Sequence, residues 1–106
     1  MTFMELEKIF LDSGRKSDGR ALIAYLLDSF DAGVTDIDAE SIEEKTGLKK
    51  SNISAVAKKL SEANVINILY LDTSVEDSTL TAIRNGRWSK PFYNLTPQIL
   101  SLYRRH

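Results

Sequence analysis

Ile53, Val56, Ala57 and Leu60 fall at i, i+3, i+4 and i+7, the spacing that lines four apolar side chains along one stripe of an α-helix. That helix is expected over about Lys50 to Ala63. Its opposite face carries Ser51, Ala55, Lys58, Lys59 and Glu62, with Asn52 and Ser54 on the flanks. A shorter helix, Ala39 to Thr46, is expected just before it, capped by Asp38 and closed by Gly47. Val65 to Asp72 (VINILYLD) follows as a strand, rich in β-branched and aromatic residues.

The rest of the chain frames this centre. Thr2 and Glu5 have capping-box spacing at the start of a helix running to Ser13. Phe3, Leu6, Ile9 and Phe10 form its stripe and Gly14 its end. A second helix is expected over Asp18 to Ala32, with Ser17 as its cap and Gly33 as its stop; Leu22, Tyr25, Leu26, Leu27 and Phe30 make it central to the core. Thr35 to Asp38 can form one short strand and Phe92 to Leu95 another. Thr96-Pro97 starts a last helix that reaches the chain end through Ile99, Leu100, Leu102 and Tyr103. Ser74 to Trp88 reads in two ways. As a helix it has Ser74 as cap and Gly86 as stop. As a hairpin it turns at Asn85-Gly86 between TLTAIR and RWSKPFY. The helix is favoured, because Val65 to Asp72 already offers a partner for Phe92 to Leu95.

A chain of 106 residues suits one domain over its whole length, residues 1–106, and its apolar fraction of 42% and charged fraction of 27% are ordinary for a globular protein. The absence of Cys excludes disulfides, Cys-based zinc sites and thiol nucleophiles, and fits a reducing cytoplasm. No apolar run is long enough to span a bilayer, so no membrane partner is expected. Glu5 and Glu7 stand where a secretory signal would be basic. The net charge of −1 conceals an asymmetry: residues 1–44 sum to −7 and residues 45–106 to +6, with no acid after Asp77. A polyanion would meet the second half of the chain.

The segment IEEKTGLKKSNISAVAKKLSEANVI resembles the helix-turn-helix of the winged-helix superfamily. The likeness is carried by Ile42, Gly47, Leu48, Ser51, Ile53, Ser54, Leu60, Ala63 and Val65-Ile66. The run Phe92-Tyr93-Asn94-Leu95-Thr96-Pro97 looks like the wing end of the MarR and PadR groups of regulators. The resemblance covers about Ser17 to Arg105. It implies an α+β, mostly helical fold: a winged helix-turn-helix over 39–63, a small β-wing over 65–95, and N- and C-terminal helices over 1–16 and 96–106. Two positions depart from the pattern. Asn64 stands where Gly is usual, although Asn tolerates the left-handed conformation. Thr73 to Pro91 is long for a simple wing.

A helix entering the major groove needs small or polar residues on its outer N-terminal face, so that the backbone can approach base edges. Ser51, Asn52 and Ala55 meet that need: Asn52 can pair bidentately with adenine, and Ala55 can pack on a thymine methyl. Lys49, Lys50, Lys58 and Lys59 flank them and suit phosphates. Arg84, Arg87 and Lys90 lie where a wing would reach the DNA backbone or minor groove. Taken alone, the lysines would equally describe a solvated helix face. Trp88 and Phe92 are expected to pack rather than stack on bases, His106 to be inert, and Glu43-Glu44 to form a solvated face.

Catalysis is not expected, for the chain has no Gly-rich phosphate loop, no metal-ligand spacing, no nucleophile elbow and no central His to serve its serines. No cofactor or metal is implied. The expected partner is double-stranded DNA, bound by a homodimer paired through the Phe3, Leu6, Ile9, Phe10 stripe beside Ile99, Leu102 and Tyr103. The expected role is that of a transcription regulator. A centromere-binding protein of a plasmid or phage segregation system would use the same chemistry, and a winged helix devoted to protein contact is the other alternative.

Overall fold

The computed structural model describes residues 1–72, 79–81 and 90–104. Helix α1 (Phe3–Ser13) starts at Thr2, whose hydroxyl accepts the Glu5 N–H at 3.1 Å, and ends at Gly14 with φ of 71°. Helix α2 (Lys16–Asp31) begins ahead of the expected cap, leaving Ser17 exposed in its first turn. The cause is the tight turn before it. Ser13 Oγ donates to Phe10 O at 2.6 Å and accepts the Arg15 N–H at 3.1 Å, so the chain is already aimed into α2 at Arg15. A Cβ on Gly19 would lie 2.9 Å from Phe10 Cδ1 and 3.5 Å from Val56 Cγ2, so its hydrogen lets α2 cross closely over α1 and over the helix that carries Val56.

Strand β1 (Ile37–Asp38) leads into α3 (Ala39–Thr46), with Asp38 Oδ1 accepting the Ser41 N–H at 3.3 Å as the N-cap. Gly47, at φ of 77°, turns the chain toward α4 (Lys50–Glu62). Two α-helices end with the same hydrogen-bond pair and different residues. After α2, Gly33 N–H donates to Phe30 O and Val34 N–H to Ser29 O. After α4, Asn64 N–H donates to Ser61 O and Val65 N–H to Leu60 O. The turning residues sit at φ of 85° for Gly33 and 61° for Asn64. Asn64 thus holds the conformation expected of it.

Strands β2 (Ile66–Asp72), β3 (Thr79–Thr81) and β4 (Pro91–Leu95) complete an antiparallel sheet of order β1-β4-β2-β3. Ile68 faces Tyr93 across β2 and β4, and Ile37 faces Tyr93 across β1 and β4. Strand β3 corrects the favoured helix over Ser74 to Trp88, since Thr79–Thr81 pairs with Tyr70 to Asp72. A strand has two hydrogen-bonding edges: β4 takes one edge of β2 and leaves the other for β3. The Asn85-Gly86 turn lies outside the described residues.

Helix α5 (Pro97–Leu102) starts after Thr96 and stops short of the chain end, where Arg104 turns left-handed at φ of 60°. The Thr96 side chain does not cap α5. Its hydroxyl is buried and shared between Asn64 O at 2.9 Å and Val65 O at 3.1 Å, tying α5 to the end of α4. The core gathers Leu22, Ile42, Ile53, Val56, Leu60, Val65, Ile66 and Ile99, drawn from four helices and the sheet. It also takes in Leu6 and Phe10, and Ile9 is half-buried against it. This corrects the expected role of the α1 stripe, most of which is consumed inside the monomer. Phe3 alone of that stripe stays largely exposed, at 56%, with its ring edge-on to Tyr103 at 5.5 Å. The fold is α+β and mostly helical, and among the described residues no helix is long and apolar enough to cross a membrane.

Candidate nucleic-acid interface

Helix α4 is oriented by its stripe. Ile53, Val56, Ala57 and Leu60 are fully buried, which turns Lys50, Ser51, Ser54, Lys58 and Lys59 to solvent and leaves Asn52 and Ala55 half-exposed. The structure therefore brings Lys50, Ser51, Asn52, Ala55, Lys58 and Lys59 onto one helix, with exposed Lys49 at its N-cap position. Ser51 and Ala55 stand one turn apart near the helix start, and Lys58 and Lys59 lie about two turns from Ser51 and one from Ala55.

A lysine at an N-cap position cannot accept a helix N–H. The acceptor comes from α3: Glu43 Oε2 takes the Lys50 N–H at 3.2 Å. Glu43 is thus a brace across the α3–α4 turn as well as an exposed side chain. The poor cap at Lys49 is the sequence signal that an outside acceptor was needed. Lys50 Nζ lies 3.5 Å from Glu40 Oε1, with both groups more than half exposed. An exposed pair of this kind contributes little and can be exchanged for a phosphate at small cost.

A further basic group arrives from the acidic half of the chain. Arg15 Nη1 donates to Asn52 Oδ1 at 3.1 Å and lies 3.7 Å from Asp18 Oδ2. Arg15 stands 37 residues from Asn52 in sequence, and no pattern in the chain announces the contact. The neighbouring bases are engaged elsewhere. Glu7 holds Arg20 at 2.6 Å and Lys16 at 3.5 Å, and the Arg20 hydrogen bond keeps the Glu7 carboxyl below its ordinary range.

Lys90, expected on the wing, has an ion-pair partner within the chain while its side chain stays 48% exposed. Its Nζ lies 3.0 Å from Asp38 Oδ2, so it joins the start of β4 to the N-cap of α3. The Ser41 hydroxyl hydrogen bond and the Lys90 ammonium lower the Asp38 pKa, and Asp38 in turn raises that of Lys90. The pairing explains the placement: β1 and β4 are neighbours, with Asp38 opposite Phe92. Arg84, Arg87, Trp88 and His106 lie outside the described residues. Phe92 is half-buried within β4. Among the described residues no cluster of His, Asp or Glu is arranged to hold a metal ion.

Comparison with known proteins finds no matching family model, no similar curated protein and no similar solved structure. The arrangement itself has a definite chemical capacity. A narrow polar helix start flanked by ammonium groups can enter a groove about one helix wide and bind the anionic rims on either side.

Proposed function

We propose that this chain is a winged helix-turn-helix protein that binds double-stranded DNA through α4, as a homodimeric transcription regulator in the cytoplasm. The observation that carries the proposal is the outer face of α4, where small and polar residues at the helix start precede two exposed lysines. The order of elements supports it. A short strand precedes α3, the α3–α4 pair turns at Gly47, and β2 and β4 follow, with β4 set between β1 and β2. In such an arrangement α4 enters the major groove and the β2–β4 side lies against the flanking backbone. Ser51, Asn52 and Ala55 read base edges, while Lys49, Lys50, Lys58 and Lys59 meet phosphates. Regulation follows from occupancy of the bound site.

The test is a titration of a fluorescent duplex at several salt concentrations. Log affinity is expected to fall linearly with log salt, with about −0.9 of slope for each phosphate contacted. Affinity independent of salt, or no duplex binding, overturns the proposal.

A further inference from the structure

We infer that Arg15 is a specificity-determining residue, positioning the Asn52 amide so that it presents one fixed edge to DNA. The inference rests on the proposed binding of duplex DNA through α4. Its physical basis is donor and acceptor accounting at one contact. A guanidinium carries only N–H donors, whereas an Asn amide has an accepting end and a donating end. The 3.1 Å contact from Arg15 Nη1 to Asn52 is therefore favourable only when Oδ1 faces Arg15. Rotating the amide by half a turn would set Nδ2 against the guanidinium, donor against donor.

Arg15 is itself well anchored. Its N–H donates to Ser13 Oγ at 3.1 Å, its carbonyl accepts the Gly19 N–H at 2.9 Å, and its guanidinium lies 3.7 Å from the Asp18 carboxylate. At 41% side-chain exposure the guanidinium lies at the surface beside the start of α4, with its contacts to Asn52 and Asp18 on the protein side. Asn52 is half-buried in the first turn of α4, and its N–H is held by Lys49 O at 2.9 Å. Both partners thus have fixed backbones, and the side-chain hydrogen bond removes the remaining freedom of the amide.

The consequence concerns base reading. A bidentate contact to adenine needs one acceptor for N6–H and one donor for N7, side by side and in a single order. Asn52 Oδ1 keeps a second lone pair beyond the Arg15 bond, so it can still accept from N6–H while Nδ2 donates to N7. Without Arg15 both amide orientations become available, and the order of donor and acceptor is no longer set. Arg15 would then govern the preference at a base it does not touch.

The experiment is binding-site selection from a randomised duplex library with the wild-type chain, Arg15→Ala, Arg15→Gln, Asn52→Ala and the Arg15→Ala/Asn52→Ala double variant. Thermal melting of each variant checks that it folds. Arg15→Ala should relax preference at the same single base position as Asn52→Ala, lowering discrimination there about 5- to 10-fold. The double variant should be no more relaxed than Asn52→Ala alone. Arg15→Gln, which keeps an N–H donor without the charge, should restore part of the preference. Unchanged preference in Arg15→Ala, with uniform weakening and a salt slope shallower by about 0.9, would make Arg15 a phosphate contact and overturn the inference alone. Absence of duplex binding by the wild-type chain would overturn the DNA reading and this inference with it.

Discussion

At the scale of single residues, the proposed DNA-binding face of α4 holds two kinds of side chain. Asn52 is half-buried and hydrogen-bonded through its amide, whereas Lys58 and Lys59 are exposed side chains further along the helix. A short, fixed amide suits a base edge, and a long flexible ammonium suits a phosphate. Asn52→Ala is therefore expected to weaken binding by about 1–3 kcal/mol on the preferred site and to relax preference at one position. Lys58→Ala or Lys59→Ala should weaken binding to all sequences alike and reduce the salt slope by about one unit. Titrations on matched and scrambled duplexes read both effects. A change of preferred sequence in Lys58→Ala, with none in Asn52→Ala, would reverse the assignment.

At the scale of elements, two junctions fix where α4 sits. Asn64 ends it in a left-handed turn at φ of 61°, a conformation that costs most side chains about 1–2 kcal/mol. Denaturant melts should show Asn64→Ala destabilised by about 1 kcal/mol, and Asn64→Gly close to wild type, because glycine adopts that turn without a Cβ clash. The other junction is Asp38, which caps α3 and receives Lys90 from β4. Its carboxyl titrates below the ordinary 3.8 through the Ser41 hydroxyl and Lys90, and the Lys90 ammonium titrates above 10.5 through Asp38. The depressed carboxyl contributes stability above its unfolded pKa and loses it as pH falls through the folded value. The raised ammonium contributes below its unfolded pKa and loses it as pH rises through the folded value. The stability difference between wild type and Asp38→Asn should thus be flat near neutrality and shrink below about pH 4. A difference constant down to pH 2 would mean that the folded carboxyl is not lowered, by either the Ser41 hydroxyl or Lys90.

At the scale of the whole molecule, the unanswered surface is the outside of α1. Met4 and Leu11 are 73% and 62% exposed, and Phe3 is 56% exposed beside Tyr103. Leu6 and Phe10 are already inside the core, so a homodimer would use Phe3, Met4 and Leu11 rather than the whole α1 stripe. Two-fold pairing through that face would have to set two copies of α4 roughly 34 Å apart to match successive major grooves. Sedimentation at micromolar concentration should show a dimer for the wild type and a monomer for Met4→Glu/Leu11→Glu. A wild-type monomer that also binds DNA singly would exclude pairing.

The α4 stripe, the Thr2 and Asp38 caps, the Gly47 turn and the left-handed Asn64 were all legible in the sequence. Each depends on residues within a few positions of one another, where periodicity and capping chemistry act. The same locality explains the lysine face, which is simply what the buried stripe leaves outside. The remaining features were decided by what folding brought across space. One edge of β2 was readable as the partner of β4, but nothing local shows that Thr79–Thr81 takes the other. Lys90 reads as a free wing cation until β1 and β4 pair and set Asp38 beside it. Arg15 belongs by charge to the acidic half of the chain. It reaches Asn52 only because the tight Gly14 turn and the close packing of α2 on α4, permitted at Gly19, carry its guanidinium to the start of α4. Hydrogen bonds and ion pairs of this kind have no period and no fixed spacing, so only the tertiary structure determines them.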